Sequence, residues 1–220
     1  MIEGINTANT STGRIIVTGN KELDRILSSR RGPLLVYGEA GSGKTNFALY
    51  VSALNSTLNR KVLYINTEGW IIKARITGLS KYWDMNRIEF IDLNNFRQQT
   101  LFILRHLPRI IYRYDIIVVD TINNLYRIEE DLDAATRALS TQMAVLYTLS
   151  SRLSRTIIVL GQVKAEDERE EVSGSTYIRF WSTTIARLEK DNPRRMIIEK
   201  PVEKEFFFEI TGRGIKWIHT

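Results

Sequence analysis

Eight consecutive residues, Gly38-Glu39-Ala40-Gly41-Ser42-Gly43-Lys44-Thr45, carry the densest chemistry in this chain. They satisfy the pattern G-x-x-x-x-G-K-[ST] at every fixed position. Glycines 38, 41 and 43 admit backbone angles that a Cβ resists, so successive N–H groups can turn inward on an anion at the positive end of a helix. Lys44 is then expected to reach the β- and γ-phosphates of ATP, and Thr45 to offer its hydroxyl to Mg²⁺. Glu39, Ala40, Ser42 and Asn46 complete the cradle. The pattern gains force from its setting. An apolar run, Leu34-Leu35-Val36-Tyr37, precedes it, and Phe47, Ala48, Tyr50, Val51 and Leu54 follow at helical spacing.

Three further residues stand where reacting groups belong. Asp120 closes the apolar strand Asp115–Asp120, and its carboxylate is expected to hold Mg²⁺ together with Thr45; the bland alternative is a helix cap. Glu68 follows the strand Lys61–Asn66. A carboxylate there can orient a water in line with the γ-phosphate, the alternative being a solvated turn residue. Gln162 ends the strand Thr156–Gly161. It is expected to sense the γ-phosphate and relay nucleotide state into the next loop.

These positions require a sheet whose strands end at one edge. Strands at 34–37, 61–66, 88–93, 115–120 and 156–161 alternate with helices at 47–54, 72–79, 96–107 and 132–153. Pro108 is expected near the end of the third of those helices. From about residue 180 the pattern changes to successive strands at 180–190, 194–200 and 205–210, separated by Asp191-Asn192-Pro193 and Pro201–Lys204. The expected fold is α/β: a twisted, mostly parallel sheet flanked by helices, with a C-terminal antiparallel extension over 178–220 and an N-terminal tail or edge strand over 1–17. Ligands of such sheets bind outside the carboxyl ends of the strands.

The 220 residues suit one domain, and 43% hydrophobic with 25% charged residues is an ordinary globular balance. No apolar run approaches the about 20 residues that span a bilayer, so no membrane role and a cytoplasmic location are expected. Without cysteine there is neither a disulfide framework nor a thiolate metal site, and His106 and His219 do not make a zinc site by themselves. The net charge of +6 admits nucleic acid as a partner.

In combination the motifs resemble the RecA-like recombinase ATPases, specifically the RadA group and its short archaeal RadB- and RadC-like paralogues. Thr18–Asp24 is similar to the family's lead-in to the first core strand. Ile65–Gly69 resembles its strand-end glutamate motif, and Val118–Thr121 its second ATPase motif. Leu160–Val163 resembles the segment of the sensor glutamine. Ser182–Lys190 looks like its Thr-Thr-Arg-Leu strand with Ile185-Ala186 inserted, and Phe207–Ile215 its closing strand and turn. The resemblance implies an ATPase of homologous recombination and DNA repair, working with a RadA-type recombinase, DNA or both, with homo-oligomers also open. It places Arg75 on the adenine. A KaiC-like regulatory module, acting through nucleotide-gated protein contacts without DNA, shares the same core.

The chain also departs from that family. An N-terminal DNA-binding domain and a polymerisation linker do not fit into 17 residues. The segments that match its DNA-binding loops are acidic: Arg127–Arg137 carries Glu129, Glu130, Asp131 and Asp133, and Lys164–Gly174 has five acids against Lys164 and Arg169. Positive charge collects instead around Arg14–Arg31, at Arg97, Arg105, Arg109 and Arg113, and at Arg179, Arg187, Arg194 and Arg195. Phosphate contact, completion of a neighbour's ATP site and plain solvated surface are all open uses of these clusters.

Overall fold

The computed structural model describes residues 16–69, 72–162 and 175–218. The expected N-terminal tail up to residue 15, the acidic loop Lys164–Gly174 and His219 lie outside them. The described residues form a nine-stranded sheet in the order β3-β2-β4-β5-β1-β6-β7-β8-β9. The strands are β1 (Leu34–Gly38), β2 (Val62–Asn66), β3 (Ile88–Asp92), β4 (Ile116–Asp120), β5 (Thr156–Gln162), β6 (Thr184–Glu189), β7 (Arg194–Lys200), β8 (Lys204–Thr211) and β9 (Gly214–Ile218). From β3 to β6 every pairing is parallel; from β6 to β9 every pairing is antiparallel. This is a RecA-like P-loop ATPase fold.

Alternation along the buried strands splits the interior in two. Leu34, Val36, Val62, Tyr64, Ile116, Val118, Ile158 and Leu160 face α1 (Lys21–Ser28), α2 (Lys44–Thr57) and α3 (Ile72–Leu79). Leu35, Leu63, Ile65, Ile117, Val119, Ile157 and Val159 face the helical run 96–113, α6 (Leu132–Leu153) and α7 (Ser175–Trp181). A strand buried on both faces must be apolar at odd and even positions alike, and this is why β1, β2, β4 and β5 read as unbroken apolar runs. Asn20 caps α1 through its side chain, which accepts from the N–H groups of Glu22 and Leu23 at 3.1 Å. Among the described residues no helix is long and apolar enough to cross a membrane.

Two expectations are corrected. The segment 180–190 is not one strand: α7 runs through Trp181, and β6 starts at Thr184. Ile178 turns into the core while Ser182 Oγ donates to the Ile178 carbonyl at 2.6 Å and closes the helix. β6 is also parallel to β1, so the antiparallel extension begins at β7 and gains a further strand, β9. Pro108 stands near the end of its helical run, as expected, although the run continues past Leu107 to Arg113. After α4 (Phe96–Leu101) comes a π-helical turn, Phe102–His106, then α5 (Leu107–Ile110) and a 3₁₀ turn to Arg113. In the widened turn the Leu107 N–H reaches back five residues to the Phe102 carbonyl. Pro108, which has no N–H to give, thereby falls in the first turn of a fresh α segment.

The last hairpin locks α2 in place. Trp217 on β9 donates to the Thr18 carbonyl at 2.7 Å and meets Phe47 of α2 edge-on at 6.4 Å. Gly214 starts β9 at φ +106°, where an added Cβ would lie 2.4 Å from the ring of Tyr50. Gly214→Ala is therefore expected to cost about 2 kcal/mol or more, read as a lower midpoint in urea with an unchanged slope, because strain and overlap add.

Candidate functional site

Register sets the frame of the site. Gly38 pairs with Gln162 across β1 and β5, and Asn66 pairs with Asp120 across β2 and β4. The ends of β2 and β4 are thus level, those of β1 and β5 lie two residues farther along the same edge, and the loops that leave them surround a cleft of about 380 Å³. Ala40, Gly41, Gly43, Lys44, Thr45, Asn46, Glu68, Arg75, Asn124 and Gln162 line it. Every one of these except Asn124 is expected from the sequence. Asp120 lies beneath, fully buried, and reaches the cleft through the Thr45 hydroxyl, 3.3 Å away.

The loop between β1 and α2 is built to receive an anion. Gly43, at φ +107°, sits at the N-cap of the 14-residue helix α2 and brings no side chain to cap it; the first turn carries no acid. The leading N–H groups of the helix stay available. Ser42 is buried, and its hydroxyl has no partner among the described residues. Gly38, at φ +153°, passes the backbone of β6 so closely that a Cβ would lie 2.3 Å from the Leu188 carbonyl oxygen. Lys44 donates to the carbonyls of Gly38 and Glu39 at 2.9 and 2.8 Å. Glu39 also pairs with Lys190 at 3.2 Å, and Arg194 donates to the Gly41 carbonyl at 2.9 Å. The β6–β7 turn therefore grips the loop from the C-terminal side.

Behind the cleft a hydrogen-bonded frame fixes the acidic groups. Tyr64 donates to Asp120 at 2.6 Å. The Thr67 hydroxyl donates to the Thr121 carbonyl and accepts the Thr121 N–H, at 2.8 and 2.9 Å; the Asp120–Thr121 peptide is cis. Asn66 accepts the Glu68 N–H at 3.1 Å and donates to the Gly69 carbonyl at 2.8 Å, which shapes the turn that carries Glu68. Asn123 accepts the Gln162 N–H and donates to its carbonyl, at 3.1 and 3.0 Å, and Arg127 donates to the same carbonyl. Arg127 comes from the first expected DNA loop. That loop is mostly structured, as a 3₁₀ turn (Leu125–Ile128) and then α6 from Leu132. Sequence reasoning missed Tyr64, Asn123, Asn124, Arg127, Lys190 and Arg194. Only Tyr64 left a signal: a phenol inside a buried apolar strand must find a partner for its hydroxyl.

Electrostatics follow from this burial. Desolvation pushes the Asp120 carboxyl up to about 6, with Glu68 adding to the rise, although the Tyr64 and Thr45 hydrogen bonds hold it down. Desolvation lowers the Lys44 ammonium to about 8, against the opposing pull of Glu68 and Asp120. Among the described residues no three His, Cys, Asp or Glu side chains form a metal cage. Thr45 and Asp120 fit a Mg²⁺ that draws its remaining oxygens from phosphates and water.

Comparison with known proteins fits this geometry. Residues 32–171 match the AAA domain family. The DNA repair and recombination protein RadB of Methanocaldococcus jannaschii is 33% identical over 195 residues, covering 83% of this chain and 92% of its own length. The RadB of Thermococcus sibiricus is 30% identical over 219 residues, with 92% and 95% covered. That of Methanoculleus marisnigri is 30% identical over 224 residues, with 92% and 98% covered. The chain belongs to the RadB family. Similarity over nearly the full length of these RadB proteins agrees with the motif order read from the sequence.

Burial of both charges sets a pH window for the site. For the ATP·Mg²⁺ proposed below as the ligand, affinity is expected to peak near pH 7, between the Asp120 carboxyl at about 6 and the Lys44 ammonium at about 8. It should fall on the acid side as Asp120 takes a proton, and on the alkaline side as Lys44 loses one, by up to about tenfold per pH unit. Tyr64→Phe removes a hydrogen bond to the ionised carboxylate and should move the acid limb to higher pH. Calorimetric titrations of both proteins across the window read both limbs.

Proposed function

We propose that this RadB-family chain binds ATP·Mg²⁺ in the cleft, hydrolyses it slowly and uses the cycle in homologous recombination and DNA repair. It would act in the cytoplasm with a full-length RadA-type recombinase and on DNA. The observation that carries the reading is convergence: Lys44, Thr45, Glu68 and Gln162 meet around one cleft above Asp120, from four separated stretches of chain. Together they supply each part that phosphoryl transfer to water needs.

In this reading Lys44 holds the β- and γ-phosphates, with the N–H groups from Gly38 to Asn46. Thr45 and Asp120 hold the metal, which would screen the charge that develops on the phosphates. Glu68 orients and deprotonates the attacking water, and Gln162 donates its amide to the γ-phosphate. Arg75 lines both the cleft and an adjoining pocket of about 170 Å³, walled by Gly78, Leu79, Thr211 and Gly212. A guanidinium between the two is suited to stacking on the adenine. The activity is assigned to a single domain. A nucleotide-gated protein contact without DNA has one observation in favour: Glu130, Asp131 and Asp133 lie exposed close to Arg127, which touches the sensor strand.

Glu68→Gln is expected to slow ATP turnover at least about a hundredfold while ATP affinity stays within about twofold, because the substitution removes a base and not a phosphate ligand. Single-turnover hydrolysis and a binding titration on the same preparation separate the two effects. Undiminished turnover would exclude Glu68 as the base.

A further inference from the structure

Between Asp92 and Asp115 the chain has no acidic residue. The helical run 96–113 occupies that interval. Gln99, Ile103, Leu107 and Ile111 are its fully buried positions, spaced strictly by four. In an unbroken α-helix a four-residue spacing drifts about 40° per step, because four residues turn about 400°. The π-helical turn Phe102–His106 winds more residues into one turn and cancels that drift midway. The opposite, outward face keeps the same four-residue beat: Arg97, Leu101, Arg105, Arg109 and Arg113 are all exposed, Leu101 by 42%. Tyr112 stands beside them, 69% exposed.

The resulting stripe of cations is about 24 Å long from Arg97 to Arg113. Among the described residues none of these arginines has a carboxylate partner; Arg113 instead lies over the ring of Tyr114, 5.9 Å from its centroid. The neighbouring helix α6 adds exposed Arg137 and Arg152 and has no acid after Asp133. At Arg113 the stripe opens into a cleft of about 570 Å³ whose walls include Lys61 and Arg87. Its one lining acid, Glu89, accepts a hydrogen bond from the Tyr114 hydroxyl at 2.5 Å. This cleft lies at the amino ends of β2 and β3, away from the carboxyl ends that hold the ATP site.

We propose that this stripe is the surface on which a single-stranded nucleic acid lies. Guanidinium groups in a row, free of carboxylates, match a phosphate backbone and carry no base code. Exposed Tyr112 among them offers a face on which a splayed base can stack, which a duplex does not present. The inference rests on the reading above only for the claim that the chain works on DNA; the charge geometry is independent of the ATP cleft.

Fluorescence anisotropy with a labelled oligo-dT strand, over a salt series, tests it. Replacing Arg97, Arg105 and Arg109 together by Ala should weaken binding at least about tenfold at low salt and reduce the slope of log affinity against log salt by about 2. Tyr112→Ala should weaken binding about tenfold with the slope unchanged. Replacing Arg30 and Arg31 should change neither quantity, and a duplex of equal length should bind more weakly. Circular dichroism of each variant reports on folding, and ATP titration reports separately on the ATP reading. If the triple variant loses ATP affinity, the three single exchanges replace it, each expected to lower the slope by about 0.7. The inference is overturned if the triple variant, or all three singles, keep the parent affinity and slope. It is equally overturned if polyglutamate displaces the strand as well as unlabelled oligo-dT does, which would mark an acidic protein as the occupant. No binding by the parent at low salt overturns it too, while intact ATP binding would leave the nucleotide reading standing.

Discussion

Parallel pairing in fixed register is the constraint from which the rest of this molecule follows. β2 and β4 start and end level with each other, β1 and β5 end level with each other two residues farther on, and four loops emerge side by side at the same edge. No loop needs to be long to bring its functional group to the others. The price is that the strands are buried on both faces, so their sequences are given over to packing and chemistry is confined to the residue at the end or just after it. Asp120 and Gln162 end strands, and Glu68 and Lys44 follow them closely.

Burial at that edge also tunes the groups it gathers. Asp120 is out of water and so resists ionisation, yet Tyr64 and Thr45 aim hydroxyls at it and make the charged form tolerable. Lys44 is buried close by and held on backbone carbonyls. Each side chain makes the other less costly, and in the proposed function a metal and a phosphate would complete the neutralisation. The loop is further braced from the far end of the chain by Lys190 and Arg194, so the antiparallel ribbon is part of the site's architecture and not an ornament on the sheet.

Much of this was legible in the residues themselves. The phosphate-loop pattern, the apolar runs of β1, β2, β4 and β5, and the polar residues that close them are local signals, and local signals survive in a sequence. What was not legible depends on distant partners. Nothing near Asn123 announces that it will hold Gln162, and nothing near Lys190 announces Glu39. Tyr177, Phe180 and Trp181 are residues that favour strands, yet they lie in α7 because Ile178 and Trp181, three apart, pack against the same core. Pro108 reads as a helix terminator unless the widened turn before it is known.

That widened turn has a consequence for how such chains diverge. It holds one residue more than ordinary helical winding would use, so losing any one of Phe102–His106 should restore regular winding without breaking the helix. Everything downstream would keep its face, because the residue lost is the one that the widened turn absorbs. Arg109 would stay in line with Arg97, and the apolar positions would stay in line with one another. A lineage could thus gain or lose one residue here by a single codon insertion or deletion and keep its row of charges aligned, with no substitution at any arginine.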